Sequence, residues 1–150
     1  MSKLESFTEQ ERNVLRRLAG AMIGASEELQ VPGADDDAIF GRFLERAGDM
    51  VAALRPGMDD FFGEFGGTEG VAALDNAGFN EAVDAARQKQ HPFLEGMIAL
   101  VAHAYYTDPR ILQSLNKEDR PPFPEGNELE QGDWSLLDPV KKREPIFRDC

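Results

Sequence analysis

The sequence predicts an all-α fold, with an irregular helical bundle over residues 1–115 and a long, extended, proline-rich C-terminal arm over residues 116–150. Apolar residues recur at spacings of three and four along most of the first part, which is typical of helices with one buried face. No stretch sustains the alternation of apolar and polar residues that indicates a strand. Five of the nine prolines lie within residues 116–150, and this density excludes a long helix there.

The first helix is predicted to begin at a capping box, Thr8-Glu9-Gln10-Glu11, in which two side chains satisfy otherwise unpaired backbone N–H groups. Its buried stripe should continue to an end near Glu28, before the break at Val31-Pro32-Gly33. Arg16-Arg17 and the apolar residues 18–25 have the outline of a twin-arginine export signal, but acidic residues stand where such a signal needs basic ones. We interpret the pair as part of the amphipathic helix, treat the chain as unsignalled and expect it in the cytoplasm. A periplasmic location would follow if a partner or a missing leader supplied export.

The second helix is predicted to begin at Asp35-Asp36-Asp37, because carboxylates complement the positive end of a helix dipole, and to end at Arg55-Pro56-Gly57. The acidic triplet lacks the ligand spacing of an EF-hand calcium loop. Residues 57–78 are less regular and suggest a short helix followed by a glycine-rich turn. Gly66–Gly70 has neither the Lys-Ser/Thr ending nor the preceding strand of a phosphate loop.

Three further helices are predicted in the bundle. One continues from Phe79 to about Gln90, the next begins its first turn at Pro92, and a short one follows Asp108-Pro109 and continues to Leu115. The helix after Pro92 is the most apolar segment and is therefore predicted to be the central helix of the bundle.

The arm combines its prolines with many large apolar side chains. Composition alone would allow a disordered tail, but a solvated tail has little use for such residues. We interpret them as anchors that are buried against the bundle or against another protein. They are Phe123, Leu129, Trp134, Leu136, Leu137, Val140, Ile146 and Phe147.

Charge and composition exclude several functions. The 150 residues carry 16 Lys+Arg and 28 Asp+Glu, a net charge of −12, and a phosphate backbone needs a basic partner, so nucleic acid is not expected. Apolar runs such as residues 97–102 are far shorter than the roughly 20 residues that cross a bilayer, so no membrane insertion is expected. The single cysteine, Cys150, cannot form an internal disulfide.

Catalytic side chains are scarce, and the sequence predicts a protein that binds rather than reacts. His91, Glu95 and His103 could be imagined as metal ligands, but they lack an ExxH or HExxH spacing and a further convergent ligand. No nucleophile elbow or dinucleotide-binding fingerprint is present. A second hypothesis is a free-standing bundle that binds a small ligand between its helices through a set of phenylalanines, namely Phe40, Phe43, Phe61, Phe62 and Phe65.

Three stretches resemble the gluconate 2-dehydrogenase subunit 3 family. The opening is similar to the first helix of that family over Phe7-Thr8-x-x-Glu11-Arg12-x-x-Leu15-x-x-Leu18-Ala19-x-x-Met22-Ile23. The segment Ala104-Tyr105-Tyr106-Thr107-Asp108-Pro109-Arg110 resembles the turn after its long helix. The family's arm is similar to Arg120-Pro121-Pro122-Phe123-Pro124 and Leu136-Leu137-Asp138-Pro139-Val140.

This resemblance implies the small subunit of an FAD-dependent sugar or alcohol dehydrogenase, whose large subunit is a GMC-type flavoprotein. Such a subunit clasps the flavoprotein, helps it mature and often carries its export signal. No cofactor is then expected in this chain and no catalytic residue of its own, because the FAD belongs to the partner. An electron-accepting cytochrome is a further component that such complexes can contain.

The resemblance and the arm together predict a surface that binds this partner. Trp134 and Phe123 are the expected aromatic anchors, although Trp134 folded back onto the bundle remains an alternative. Arg110 and Arg120 are expected to make charge-assisted hydrogen bonds across the interface. Truncation of residues 116–150 should leave the bundle folded and abolish complex formation. The full predicted set is Tyr106, Asp108, Arg110, Arg120, Pro121, Pro122, Phe123, Trp134, Leu136, Leu137, Val140 and Phe147.

Overall fold

A computed structural model describes residues 6–117 and 132–143 of the chain. These residues fall into two units, which we call the body (6–117) and the arm segment (132–143) and describe separately. The described parts contain helices and one isolated bridge between Ser26 and Val31, and no strand. The prediction of an all-α fold is therefore confirmed.

Seven α-helices form the body, and none of the helices in the two described ranges combines the length and apolar character needed to span a membrane. Their bounds are Glu9–Met22 (α1), Asp37–Asp49 (α2), Val51–Gly63 (α3), Thr68–Ala73 (α4), Asn76–Gln88 (α5), Pro92–Tyr106 (α6) and Pro109–Ser114 (α7).

Helix α6 is the central helix, as predicted. It packs against α1, α2, α3 and α7. A helix with neighbours on several sides buries apolar residues on several faces. Its buried residues contribute to one continuous core with those of the other helices. The residues that α6 buries are Phe93, Leu94, Met97, Leu100, Val101, Ala104 and Tyr105.

Helix α1 begins as predicted but ends earlier. The Thr8 hydroxyl accepts a hydrogen bond from the Glu11 N–H at 3.2 Å, and the Glu11 carboxylate accepts one from the Thr8 N–H at 2.8 Å. The predicted end near Glu28 is wrong, because the helix stops at Met22 and Ile23 is extended. The carbonyl of Ile23 accepts a hydrogen bond from the N–H of Ala34 at 2.8 Å, so the returning loop satisfies a backbone group that a longer helix would use.

The predicted second helix is two helices. Met50 ends α2 and precedes α3, and its carbonyl accepts hydrogen bonds from the N–H groups of Ala53 and Leu54. The predicted stop at Arg55-Pro56-Gly57 is wrong, because α3 continues through Pro56 to Gly63. A proline removes the hydrogen bond to the carbonyl four residues earlier. Here that residue is Ala52, which is exposed, so water can satisfy its carbonyl.

The glycine-rich turn after α3 closes that helix. Gly66 and Gly67 have φ angles of 82° and 91°, a region that residues with a Cβ rarely enter. The Gly67 N–H donates to the carbonyl of Phe62 at 2.8 Å, and the Gly66 N–H donates to that of Gly63 at 3.2 Å. These N–H groups therefore cap a helix and are not free to hold a phosphate.

The last three helices of the body match their predictions closely. Helix α5 begins three residues before Phe79, because the Asp75 carboxylate accepts a hydrogen bond from the Gly78 N–H at 2.8 Å and caps it. Helices α6 and α7 begin at Pro92 and Pro109. Proline fits the first helical position because its missing N–H would be unpaired there anyway.

The arm segment contains a 3₁₀ turn, Trp134–Leu137, followed by a short helix, α8, Asp138–Lys141. The prediction of extended chain is wrong for these residues. The Asp133 carboxylate caps the turn by accepting a hydrogen bond from the Ser135 N–H at 3.0 Å. Pro139 lies in the first turn of α8, the part of a helix where proline is tolerated.

Candidate functional site

The predicted partner-binding residues fall into three sets. One set lies in the arm segment, a second lies at the junction of α6 and α7, and a third lies outside the described residues. The arm-segment residues are Trp134, Leu136, Leu137 and Val140; those at the junction are Tyr106, Asp108 and Arg110; those outside the described residues are Arg120, Pro121, Pro122, Phe123 and Phe147.

The arm segment exposes every large apolar side chain that it carries. Trp134 is 65% exposed, Leu136 74%, Leu137 42% and Val140 57%. The segment buries no residue at all. Two four-residue turns are too short to enclose a core of their own, so these four apolar side chains are left exposed.

Charged residues flank this apolar sequence on both sides. Asp133 precedes it, and hydrogen bonds from the side chain and the N–H of Ser135 lower the pKa of that carboxyl. Three consecutive cations, Lys141, Lys142 and Arg143, follow it. Lys141 lies 3.8 Å from Asp138, a long and exposed pair. The segment therefore offers apolar contacts that are preceded by one carboxylate and followed by a cationic border.

Asp108 performs a different task from the arm residues, because it is buried in the body with 1% exposure. Its carboxylate caps α7 by accepting a hydrogen bond from the Arg110 N–H at 2.9 Å. It also accepts from the Arg110 side chain at 2.9 and 3.0 Å and from Arg42 at 2.8 Å. The hydrogen bonds from Arg110 hold the pKa of Asp108 well below its ordinary value, against the opposing effect of burial.

Arg110 extends this network to the start of α2. Its guanidinium donates to the Asp36 carboxylate at 2.6 and 3.2 Å as well as to Asp108, and Asp36 caps α2. These bonds raise the pKa of Arg110 further above its ordinary value and lower that of Asp36. Arg110 and Asp108 thus join two helix starts within the body, which is a structural task.

Tyr106 at this junction faces outward, with 53% exposure. Its ring meets that of Tyr105 edge to face, with centroids 5.2 Å apart. Tyr105 is buried, and burial raises the pKa of its hydroxyl. The arrangement holds Tyr106 against a rigid neighbour, so little conformational freedom is lost if a partner covers it.

Sequence reasoning missed the structural use of the other arginines. Arg17 donates to the carbonyls of Leu74 and Asp75 at 2.8 Å and lies 4.0 Å above the Phe79 ring. Arg16 donates to the Asp37 carboxylate at 2.6 Å. The pair that has the outline of an export signal therefore joins α1 to loops that are distant in sequence, and no local pattern could have revealed this.

Arg55 completes the set by pairing with the buried Glu11 and donating to the carbonyl of Ser6 at 2.9 Å. Burial would raise the pKa of Glu11, but the Thr8 N–H and Arg55 together lower it below its ordinary value. The residue that the sequence predicts to stop a helix therefore anchors the start of α1.

The histidines do not converge on a metal site. His91 caps α6, where its Nδ1 accepts a hydrogen bond from the Phe93 N–H at 3.3 Å. His103 lies twelve residues further along the same helix, about 18 Å away at 1.5 Å per residue. Within residues 6–117 and 132–143, no three side chains of the metal-ligating types come together.

The phenylalanines proposed for ligand binding form part of the core. Phe40 and Phe43 stack with ring centroids 5.4 Å apart, and Phe61 contacts Phe62 and Phe65 at 6.0 and 5.5 Å. An apolar cavity of about 160 Å³ lies elsewhere, between α1, α5 and α6. Its lining consists of Ala21, Met22, Ile23, Val83, Arg87, Ile98, Val101 and Ala102.

No family model, curated protein or solved structure matches the chain. The basis for a functional proposal is therefore the exposed arm segment, the side chains that pair within the body, and the resemblance of three sequence stretches to the gluconate 2-dehydrogenase subunit 3 family.

Proposed function

We propose that this chain is a non-catalytic small subunit that binds, stabilises and matures a large FAD-dependent dehydrogenase of the GMC type. The observation that carries the proposal is the exposure of Trp134, Leu136, Leu137 and Val140 in the arm segment. Exposed apolar side chains in such a group are typical of interaction sites. Aromatic residues, tryptophan above all, most often dominate the binding energy of an interface.

The four apolar side chains would contribute a substantial part of the free energy that a complex needs. Complete burial of one large apolar side chain contributes about 1.5–3 kcal/mol. Four such residues together contribute enough to offset much of the cost of association, estimated at roughly 4–15 kcal/mol. Tyr106 on the body adds a second aromatic contact that is already held in place by Tyr105.

Within the proposed complex the two units of this chain have different tasks. The body supplies a rigid helical platform, and Arg110 and Asp108 hold the starts of α2 and α7 together. The arm binds the flavoprotein. FAD and the oxidation of a sugar, glycoside or alcohol belong to the large subunit, so this chain carries no cofactor. We place the complex in the cytoplasm.

Co-expression with the GMC-type flavoprotein encoded nearest to this chain's gene tests the proposal. A yellow complex that contains both chains, and dye-linked oxidation of a sugar or alcohol that requires both, is the expected result. A colourless monomer that leaves the flavoprotein's yield and activity unchanged would overturn it.

A matched pair of variants locates the interface. W134S/L136S/V140S removes apolar contacts from the arm segment and should reduce binding at least 100-fold, since each lost anchor costs on the order of 2 kcal/mol. The control L29S/M50S/L115S removes three side chains of the body that are 59%, 44% and 48% exposed. Binding that is equal for both variants would show that the arm is not the contact.

The apolar cavity between α1, α5 and α6 supports one alternative, a free-standing protein that binds a small apolar ligand. A volume of about 160 Å³ accommodates a small ring compound and is similar to engineered cavities that bind benzene. Under this alternative, benzene raises the melting temperature of the isolated chain and V101F, which fills the cavity, removes the shift. If benzene does not raise the melting temperature of the wild-type chain, this alternative is wrong.

A further inference from the structure

Two cations of the arm segment differ from the arginines that hold the body together. In the body, Arg16, Arg42, Arg55 and Arg110 each pair with a carboxylate. In the arm segment, Lys142 and Arg143 are exposed and have no ion-pair partner among the residues that the structure describes. Long cationic side chains that no carboxylate of residues 6–117 or 132–143 holds can pair with another molecule.

The position of these cations is as informative as their charge. Lys141, Lys142 and Arg143 follow Val140 directly, so they border the apolar side chains from Trp134 to Val140. A partner that covers the apolar residues must also come within contact distance of the three cations. Burial of a cation without a carboxylate or other acceptor costs several kcal/mol, whereas a matched carboxylate offsets that cost.

We infer that the arm segment recognises a protein surface on which an apolar pocket is bordered by carboxylates, with Lys141, Lys142 and Arg143 placed on the acidic border. This inference rests on the proposed docking role of the arm and specifies the chemistry of the partner's site. The apolar residues supply most of the affinity. The cations supply orientation and faster association, which is what complementary charge at an interface border generally provides.

An anionic membrane is the other surface that combines apolar depth with negative charge. The charge of the whole chain argues against it. A membrane is a continuous negative plane, and a chain of net charge −12 must approach that plane with its acidic body as well as its arm. A patch of carboxylates on a protein is confined to the contact itself, and beyond about 8 Å salt screens the repulsion from the body.

The test measures the affinity of the full-length chain for its flavoprotein partner over a range of NaCl concentrations. K141Q/K142Q/R143Q should weaken binding about tenfold at low salt, because up to three exposed ion pairs, each of them weak, are lost together. It should also flatten the salt dependence. The control R46Q/R87Q/K117Q removes three exposed cations of the body and should leave both the affinity and its salt dependence within twofold of wild type.

The outcomes separate this inference from the proposed function. A complex that forms with wild-type affinity and an unchanged salt dependence in K141Q/K142Q/R143Q overturns the acidic border and leaves the subunit role intact. Failure of the wild-type chain to form any complex overturns both. Binding of the wild-type chain to phosphatidylcholine vesicles with about 30% phosphatidylserine, lost in the same variant, assigns the cations to a membrane and overturns the inference.

Discussion

The body and the arm segment contain similar residue types and use them in opposite ways. In the body, large apolar side chains such as Phe61 and Phe43 are almost completely buried, and arginines pair with carboxylates or backbone carbonyls. In the arm segment, Leu136 is 74% exposed and Arg143 has no ion pair among the described residues. The contrast indicates that the body is stabilised by its own contacts, whereas the arm segment leaves its large apolar side chains exposed.

Removal of an apolar side chain should show the largest difference between the units. Phe61→Ala deletes a ring that is 1% exposed and contacts the Phe62, Phe65 and Phe93 rings. It should lower the free energy of unfolding by about 4 kcal/mol, because the transfer and cavity costs add. Leu136→Ala should change it by less than about 0.5 kcal/mol. Urea denaturation followed by circular dichroism measures both, and an equal loss would show that Leu136 belongs to the folded core.

Two carboxylates of the body, one buried and one exposed, should differ in their contribution to stability, by less than the apolar pair does. Asp108→Ala removes a helix cap and two arginine partners, which should cost about 3 kcal/mol. Asp37→Ala removes an exposed ion pair with Arg16. The Asp37 carboxylate is 91% exposed, so its loss should cost less than about 1 kcal/mol. The same denaturation experiment measures both changes. Similar costs would mean that burial does not strengthen the network around Asp108.

Acid should lower the free energy of unfolding of the body by protonating Asp108. The pKa of Asp108 is lower in the folded chain than its unfolded value of about 3.9, so the unfolded chain binds more protons as the pH falls below that value. The stabilisation by Asp108 is therefore complete above pH ~4 and is lost as the pH falls toward the folded pKa. Asp108→Asn should flatten the decline of the unfolding free energy between pH ~4 and 2. A slope identical to wild type would contradict the assignment.

The smallest expected effect is a gain in stability. Gln90 follows α5 with a φ of +52°, and the His91 N–H beside it donates to the Ala86 carbonyl at 3.0 Å. Glycine adopts this conformation without a Cβ clash. Gln90→Gly should raise the free energy of unfolding by about 0.5–1 kcal/mol. Asn116→Gly is the matched control, and it should gain less because asparagine tolerates positive φ.

The closing turn of α7 also determines where a truncation should be made. Asn116 has a φ of +53°, and the Lys117 N–H donates to the Leu112 carbonyl at 2.8 Å. Both residues belong to the C-terminal cap of the helix. Deletion of residues 116–150 would therefore damage the body as well as remove the arm, whereas deletion from Arg120 onward keeps the cap.

Local signals predicted local structure well. The Thr8–Glu11 capping box and the starts at Pro92 and Pro109 need only residues within one helical turn, and all three are confirmed. The wrong boundaries have distant causes. Helix α1 ends early, where the Ile23 carbonyl accepts a hydrogen bond from Ala34. Helix α3 continues past Pro56, and Ala52, whose carbonyl loses its helical partner, is an exposed residue.

The predicted site shows the same division. Residue type and spacing selected Trp134, Leu136, Leu137 and Val140 as partner contacts; the structure shows all four as exposed, and their role in binding stays a prediction. They did not reveal that Arg110, which the sequence predicts to contact a partner, also pairs within the body. Its carboxylate Asp36 lies 74 residues earlier, and only packing of α7 beside the start of α2 reveals that pair.

By itself, the sequence determined that the chain is helical, where most helices begin and that its last quarter carries apolar residues. These properties depend on periodicity, caps and prolines, which act over a few residues. The tertiary structure decided which side chains the body uses internally and which remain available. That choice depends on contacts between residues far apart in the chain, because a cation or an apolar side chain is available to a partner only if folding has not already supplied its contact.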